Sequence, residues 1–246
     1  MNRFRGWLFS WSQPWLNIQW LERSKHFEYL FGRFLENVGM EVTGICLDIG
    51  CGDERSIGND LFLSRHFSQL ICADVNREGL KELKKMLDRY DVDAVYVVTD
   101  ACSLPIADEV LDGVSAFSLI EHLPRQAEFV NEVKRVLRKG SLFILQFPNK
   151  RFPIEVHTGI FFPSVIPTRT QKWWAKVSYG WTDFELQSLT KRKAINCLRS
   201  FAKTYVQSVH FSNDMLPRRM RLFQRILEGT RLLQFIPMAY FIVCIK

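Results

Sequence analysis

Between residues 43 and 150, short apolar runs alternate with stretches of helical period, and no other feature limits the possible folds as sharply. The runs are GICLDIG, LICADV, DAVYVVTD, VLDGVSAFS and SLFILQFP. Between them LFLSRHFSQL, EGLKELKKMLDRY and RQAEFVNEVKRVLRKG read as helices. In the second of these Leu80, Leu83 and Leu87 share one side. In the third Phe129, Val133, Val136 and Leu137 face inward, and Gly140 is the expected C-cap. Strands joined through helices run parallel, and a parallel sheet must be covered on both faces. The pattern predicts an α/β chain on a doubly wound sheet.

The flanks follow other rules. From Trp20 to Met40 apolar residues recur at helical spacing, including Phe27, Leu30, Phe31, Phe34 and Val38. Trp7, Trp11 and Trp15 also sit four apart, although Pro14 interrupts them. Residues 1–40 are therefore expected to form a helical cover or lid, with the main domain over 41–246. After Pro148 the alternation stops. Residues 149–185 carry FFP, KWW and YGW together with Pro153, Pro163 and Pro167, the mark of an irregular insertion after the fifth strand. DFELQSLTKRKAINCLRSFA returns to helix and KTYVQSVHF to strand. RRMRLFQRILEGTRLLQF reads as a basic amphipathic helix, and MAYFIVCIK as a last strand.

The 246 residues carry 33 Lys and Arg against 26 Asp and Glu, a net charge of +7. The excess gathers late in the chain, at Lys191–Lys193, Arg218, Arg219, Arg221 and Arg225. Such a patch suits an anionic partner or is a solvated face. No recognised nucleic-acid motif accompanies it, so nucleic acid is not expected. A basic amphipathic helix over Arg218–Arg231 either covers the sheet or rests on a membrane surface. Phe235 to Ile245, the longest apolar candidate, is far too short to span a bilayer. The six cysteines show no CxxC pair and no metal spacing. They read as reduced, structural thiols of a cytoplasmic protein. Polar residues break the apolar N-terminus, so no signal peptide is expected.

The first strand ends in LDIGCGDERSIG. A dinucleotide site wants G-x-G-x-x-G, but Arg55 stands at the third glycine's place, and no P-loop string occurs. Asp48, Asp53 and Glu54 surround the glycines, with only Arg55 to offset them. A pyrophosphate here would meet repulsion on the order of 1 kcal/mol or more from each carboxylate. The loop suits close backbone approach to a ligand that is not a polyanion. Asp74 ends the second strand, where an acid accepts ribose hydroxyls, and Asp100 follows the third. Open sheets of this kind bind ligands at that edge.

Taken in order, LDIGCG, ICADVN, VTDACSLPIAD, LDGVSAFSLIEHL and FVNEVKRVLRKGSLFILQFPN resemble the class I S-adenosylmethionine-dependent methyltransferases. The likeness is strongest to the branch that includes ubiquinone- and menaquinone-biosynthesis enzymes, and it covers about residues 43–150. It implies a Rossmann-like, seven-stranded, mostly parallel sheet with an antiparallel last strand. It implies S-adenosylmethionine as cofactor and a small-molecule or lipid-like methyl acceptor. Asp48, Gly50 and Gly52 would meet the methionine part, Asp74 the ribose, Asp100 and Ala101 the adenine, and Phe117 and Ser118 the sulfonium side. Glu54 departs from the family pattern, which often has a small residue there.

Two histidines are candidate bases. His122 follows Glu121 where the family starts a helix after the fourth strand; it is either a general base or a pocket-lining residue. Some quinone-pathway O-methyltransferases hold a metal with such a pair and an acid three residues earlier. Ser118 stands at that place, so no metal is expected. His157, beside Glu155 in the insertion, either deprotonates a hydroxyl or braces the loop. Trp173, Trp174, Tyr179 and Trp181 either line an apolar cavity or form the insertion's own core. Oxygen is the slightly favoured acceptor atom. The competing readings are a nicotinamide-dependent oxidoreductase and a binding module that has lost turnover.

Overall fold

The computed structural model describes residues 20–52, 56–152, 166–179, 189–210 and 235–246. Seven strands in these segments form one sheet: β1 (Ile45–Ile49), β2 (Gln69–Asp74), β3 (Ala94–Val98), β4 (Leu111–Phe117), β5 (Leu137–Pro148), β6 (Lys203–Val209) and β7 (Ala239–Ile245). Their order is β3-β2-β1-β4-β5-β7-β6. The first five pair in parallel, and β7 runs antiparallel between β5 and β6. This is the Rossmann-like sheet expected from the sequence. The helices are α1 (Trp20–Val38), α2 (Ile57–His66), α3 (Arg77–Asp88), α4 (Gln126–Val136), α5 (Thr168–Tyr179) and α6 (Lys191–Cys197).

Successive residues of a strand point to opposite faces, so each buried strand feeds two cores. Cys46, Cys72, Ile144 and Phe241 face one way and pack on α1, α2 and α3 through Phe31, Phe62 and Leu83. Leu47, Ala73, Phe143 and Ile242 face the other way and pack on α4 and α6 through Phe129, Val133 and Ala194. Helices α2 and α3, which follow β1 and β2, thus lie on one face, and α4 and α6 on the other. The reversal falls between β1 and β4.

Helix α1 belongs to the first core. Phe27, Phe31 and Phe34 are buried at the spacing read from the sequence. Phe27 stacks on Phe117 of β4 and Phe241 of β7, with ring centroids 5.7 and 5.6 Å apart. Burying each ring contributes about 1.5–3 kcal/mol. Ser24 Oγ donates to Asn59 Oδ1 on α2, and Gln207 Nε2 of β6 donates to the Leu30 carbonyl. His66, on the last turn of α2, presents its ring to Phe31 edge-on at 5.2 Å.

Two helical expectations are corrected. The helix expected to run to Gly140 ends at Val136, because Leu137 pairs with Leu111 and turns the chain into β5. Residues between Leu137 and Leu142 bulge from the ladder, with Gly140 at φ 81° and its N–H on the Lys246 carbonyl. Gly140 is a bulge glycine, not a cap. In the late helical stretch the described helix is only Lys191–Cys197, which the Thr190 side chain caps by accepting from the Lys193 N–H.

Helix α3 begins against the outlet of β1. Asn76 caps it by accepting from the Gly79 N–H, and Asn76 Nδ2 donates to the Gly52 carbonyl. A methyl group on Gly79 would overlap that carbonyl oxygen. Alanine is the better helix former by about 1 kcal/mol, yet Gly79→Ala should destabilise the protein by about 1–3 kcal/mol, because backbone cannot yield as a side chain does. Urea denaturation checks this; a raised midpoint would mean that the helix does not press on the loop.

Burial lowers His66 below its ordinary 6.5, with Arg65 adding to the effect and Glu28 opposing it. The neutral ring is the form the fold prefers. Its contribution is present above about pH 6.5 and is lost as pH falls through the lowered value. From about pH 7 to about pH 5, His66→Phe should lose less melting temperature than the wild type. Equal losses in thermal scans would place the acid sensitivity elsewhere.

Candidate functional site

The carboxyl ends of β1 and β4 part where the strand order reverses, and this crevice is where open α/β sheets take ligands. At the end of β1 the chain turns through Gly50, at φ 82°, whose N–H donates to the Ala73 carbonyl at 2.8 Å. A β-carbon at Gly50 would lie 2.9 Å from Leu119 Cδ1, just beyond β4. A β-carbon at Gly52 would lie 2.6 Å from the Asp74 carboxyl carbon. Both glycines therefore answer to close approach, and the loop they open lies directly against the neighbouring strand ends.

Asp74, at the end of β2, holds that loop. Its Oδ2 accepts from the Gly52 N–H at 2.9 Å and its Oδ1 from the Asn76 N–H at 2.7 Å. A carboxylate has about four acceptor positions, so capacity remains for hydroxyl groups of a ligand. Asp100, beyond β3, accepts from the Cys102 N–H and from Arg125 Nη2, both at 2.8 Å. Ala101 beside it is buried. Phe117 ends β4 with its ring in the first core, edge-on to Phe62 at 5.8 Å. Ser118 adopts φ 51°, unusual for a residue other than glycine. Gln146 of β5 pins it twice: the Ser118 N–H donates to the Gln146 carbonyl and Ser118 Oγ to Gln146 Oε1, each at 2.9 Å.

Asp48 is placed differently from the other acids. It is only 2% exposed and lies beneath the loop, with Ser115 Oγ donating to its Oδ1 at 2.6 Å. Burial first, and the Asp60 carboxylate second, push its carboxyl well above the usual carboxylate range. Asp60 on α2 is itself fully buried and pushed up by burial, with Ser56 Oγ donating to its Oδ2 at 3.0 Å.

The structure thus brings Gly50, Gly52, Asp74, Asp100, Ala101, Phe117 and Ser118 to one sheet edge and sets Asp48 behind them. His122 stands at the same edge. It is exposed and ends a 3-10 turn, Ile120–His122, while Glu121 beside it is buried. Helix α4 starts only at Gln126, so Glu121 and His122 do not open it. Trp173 on α5 is 60% exposed and Trp174 half-buried. His157, Glu155, Trp181, the loop residues Asp53–Arg55 and the basic Arg218–Arg231 segment lie outside the described residues.

Four residues of the site escaped sequence reasoning: Asn76, Gly79, Arg125 and Gln146. Gly79 did leave a signal, since a glycine in the first turn of a strongly amphipathic helix needs a packing reason. Arg125 and Gln146 left none, because their partners lie 25 and 28 residues away.

Comparison with known proteins shows what this chain is similar to. Residues 47–145 match the family model of a methyltransferase domain. A stretch of 104 residues is 33% identical to a protein of Mycobacterium tuberculosis named a probable S-adenosylmethionine-dependent methyltransferase, covering 42% of this chain and 35% of that one. Over 134 residues the chain is 26% identical to squalene methyltransferase 1 of Botryococcus braunii, covering 50% of this chain and 34% of that one. The chain therefore spans about a third of the length of these relatives. Among solved structures, an S-adenosylmethionine-dependent methyltransferase from Mesorhizobium loti superposes with a TM-score of 0.61 at 15% identity, covering 87% of this chain and 96% of that one. The match over residues 47–145 and the shared fold are what this chain has in common with these methyltransferases.

Proposed function

We propose that the protein is an S-adenosylmethionine-dependent methyltransferase acting on a small-molecule or lipid-like acceptor. One observation carries the reading: Gly50, Gly52, Asp74, Asp100 and Ser118 converge on the crevice where the strand order reverses. The residues fit the cofactor. Glycines that admit no β-carbon leave backbone open to its methionine part. Asp74 keeps acceptor capacity for ribose hydroxyls, and Asp100 with Ala101 offers an edge for adenine. Phe117 and Ser118 serve the sulfonium side. Asp48, buried behind the loop, ties the end of β1 to β4 through Ser115. When bound, the cofactor supplies a methyl group already activated on a sulfonium, so the protein's task is to orient the acceptor and exclude water. The matches lend no support to the oxidoreductase alternative.

An oxygen acceptor is favoured, with His122 and His157 as candidate bases. The exposure of His122 at the cofactor edge supports its part. The lipid-like acceptor is supported by the similarity to a squalene methyltransferase and by the aromatic 149–185 segment. A cytoplasmic location rests on the cysteine pattern. Among the described residues no helix is long and apolar enough to cross a membrane. Peripheral contact through Arg218–Arg231 is part of the proposal and is read by flotation with anionic vesicles.

Titration calorimetry with S-adenosylmethionine, S-adenosylhomocysteine and NAD tests the cofactor. The adenosyl pair should bind and NAD should not; NAD binding alone would overturn the proposal. Asp74→Ala removes a charged acceptor worth about 1.5–3 kcal/mol per hydrogen bond, so affinity for the adenosyl ligands should fall at least about tenfold. Undiminished affinity would remove Asp74 from the site.

A further inference from the structure

Beneath the glycine loop, Cys51, Asp60 and Cys72 converge from three separate elements: the loop after β1, helix α2 and strand β2. All three are buried, and their two sulfurs and a carboxylate oxygen lie within 4.8 Å of one another. Cys72 Sγ is 3.5 Å from Asp60 Oδ1. A tetrahedral zinc ion with bonds of about 2.3 Å to sulfur and about 2.0 Å to oxygen spaces the sulfurs about 3.8 Å apart and each sulfur about 3.5 Å from the oxygen. A second observation points to the same place. Tyr96 of β3 is the register partner of Cys72 and so shares its face. Its buried hydroxyl has no hydrogen-bond partner among the described residues.

We propose that Cys51, Cys72 and Asp60 form a structural site for a soft divalent cation of the zinc class. Thiolates select such ions over magnesium or calcium. Two thiol protons and one carboxyl proton pass to solvent as one ion binds, which leaves one net negative charge. The hydroxyl of Ser56 donates to Asp60 Oδ2 at 3.0 Å and to the Cys51 carbonyl at 2.7 Å, so a neutral oxygen stands beside two of the three ligands. Cys51 lies between Gly50 and Gly52, so the ion would tie the loop to β2 and α2. The site lies behind the edge proposed for the cofactor, shares its loop through Cys51, and does not depend on that reading. It also departs from the sequence expectation, which took the cysteines as reduced, structural thiols and foresaw no metal.

The test uses the full chain, freed of metal and kept reduced, and adds zinc or cadmium ions alone. Zinc should bind in one equivalent against a chromophoric competitor, and cadmium should raise the ultraviolet thiolate charge-transfer band. Both signals should be lost in Cys72→Ser and Asp60→Asn and kept in Cys197→Ser, whose sulfur lies on α6. Zinc should raise the melting temperature of the wild type and leave that of Cys72→Ser unmoved. Wild-type protein that takes up neither ion overturns the proposal, whatever the variants do. Recovery of Cys51 and Cys72 as a disulfide, with no uptake after reduction, overturns it as well.

Discussion

The pairing of β1 with β2 on one side and β4 on the other supports every feature of the open edge. Asp48 is the register partner of both Cys72 and Ser115, so one central strand aligns the ends of its two neighbours. Helices then leave by opposite faces, and the strand ends open between them. Gly50 takes the left-handed turn that lets the chain leave β1 without filling the gap, and its N–H is satisfied by the next strand. The chemistry of the edge follows from where this one strand stops.

Much of this was legible because it is local. A strand shows as a short apolar run, a helix as apolar residues three and four apart, and the acids at strand ends follow those runs by a residue or two. Long-range pairing was not legible. Helix α4 stops at Val136 because Leu137 meets Leu111, and the following bulge is held by Lys246, more than a hundred residues later. Spacing marked α1 as a helix; it did not say that Phe27 would stack on Phe117. Asp48 looked like its fellow acids, yet strand alternation sends its side chain to the face of Cys46, inside the protein.

The acids divide by position. Asp74 and Asp100 stand at the rim, where backbone N–H groups and Arg125 orient them as acceptors. Asp48 and Asp60 lie behind, where burial favours the protonated carboxyl. The same residue type thus serves recognition outside and cohesion inside, and the division depends on depth alone. A loop flanked by glycines separates the two groups.

Gln146 links the rim to a part of the fold that never touches it. Its side chain and backbone fix Ser118 in a left-handed conformation, while its own place is set by pairing with Phe241 of β7. Strand register has a period of two, so a slip of one residue between β5 and β7 would turn Gln146 to the other face. The antiparallel pairing of β7 with β5 therefore works as a ruler: by counting residues along β5 it decides which side chain reaches the end of β4.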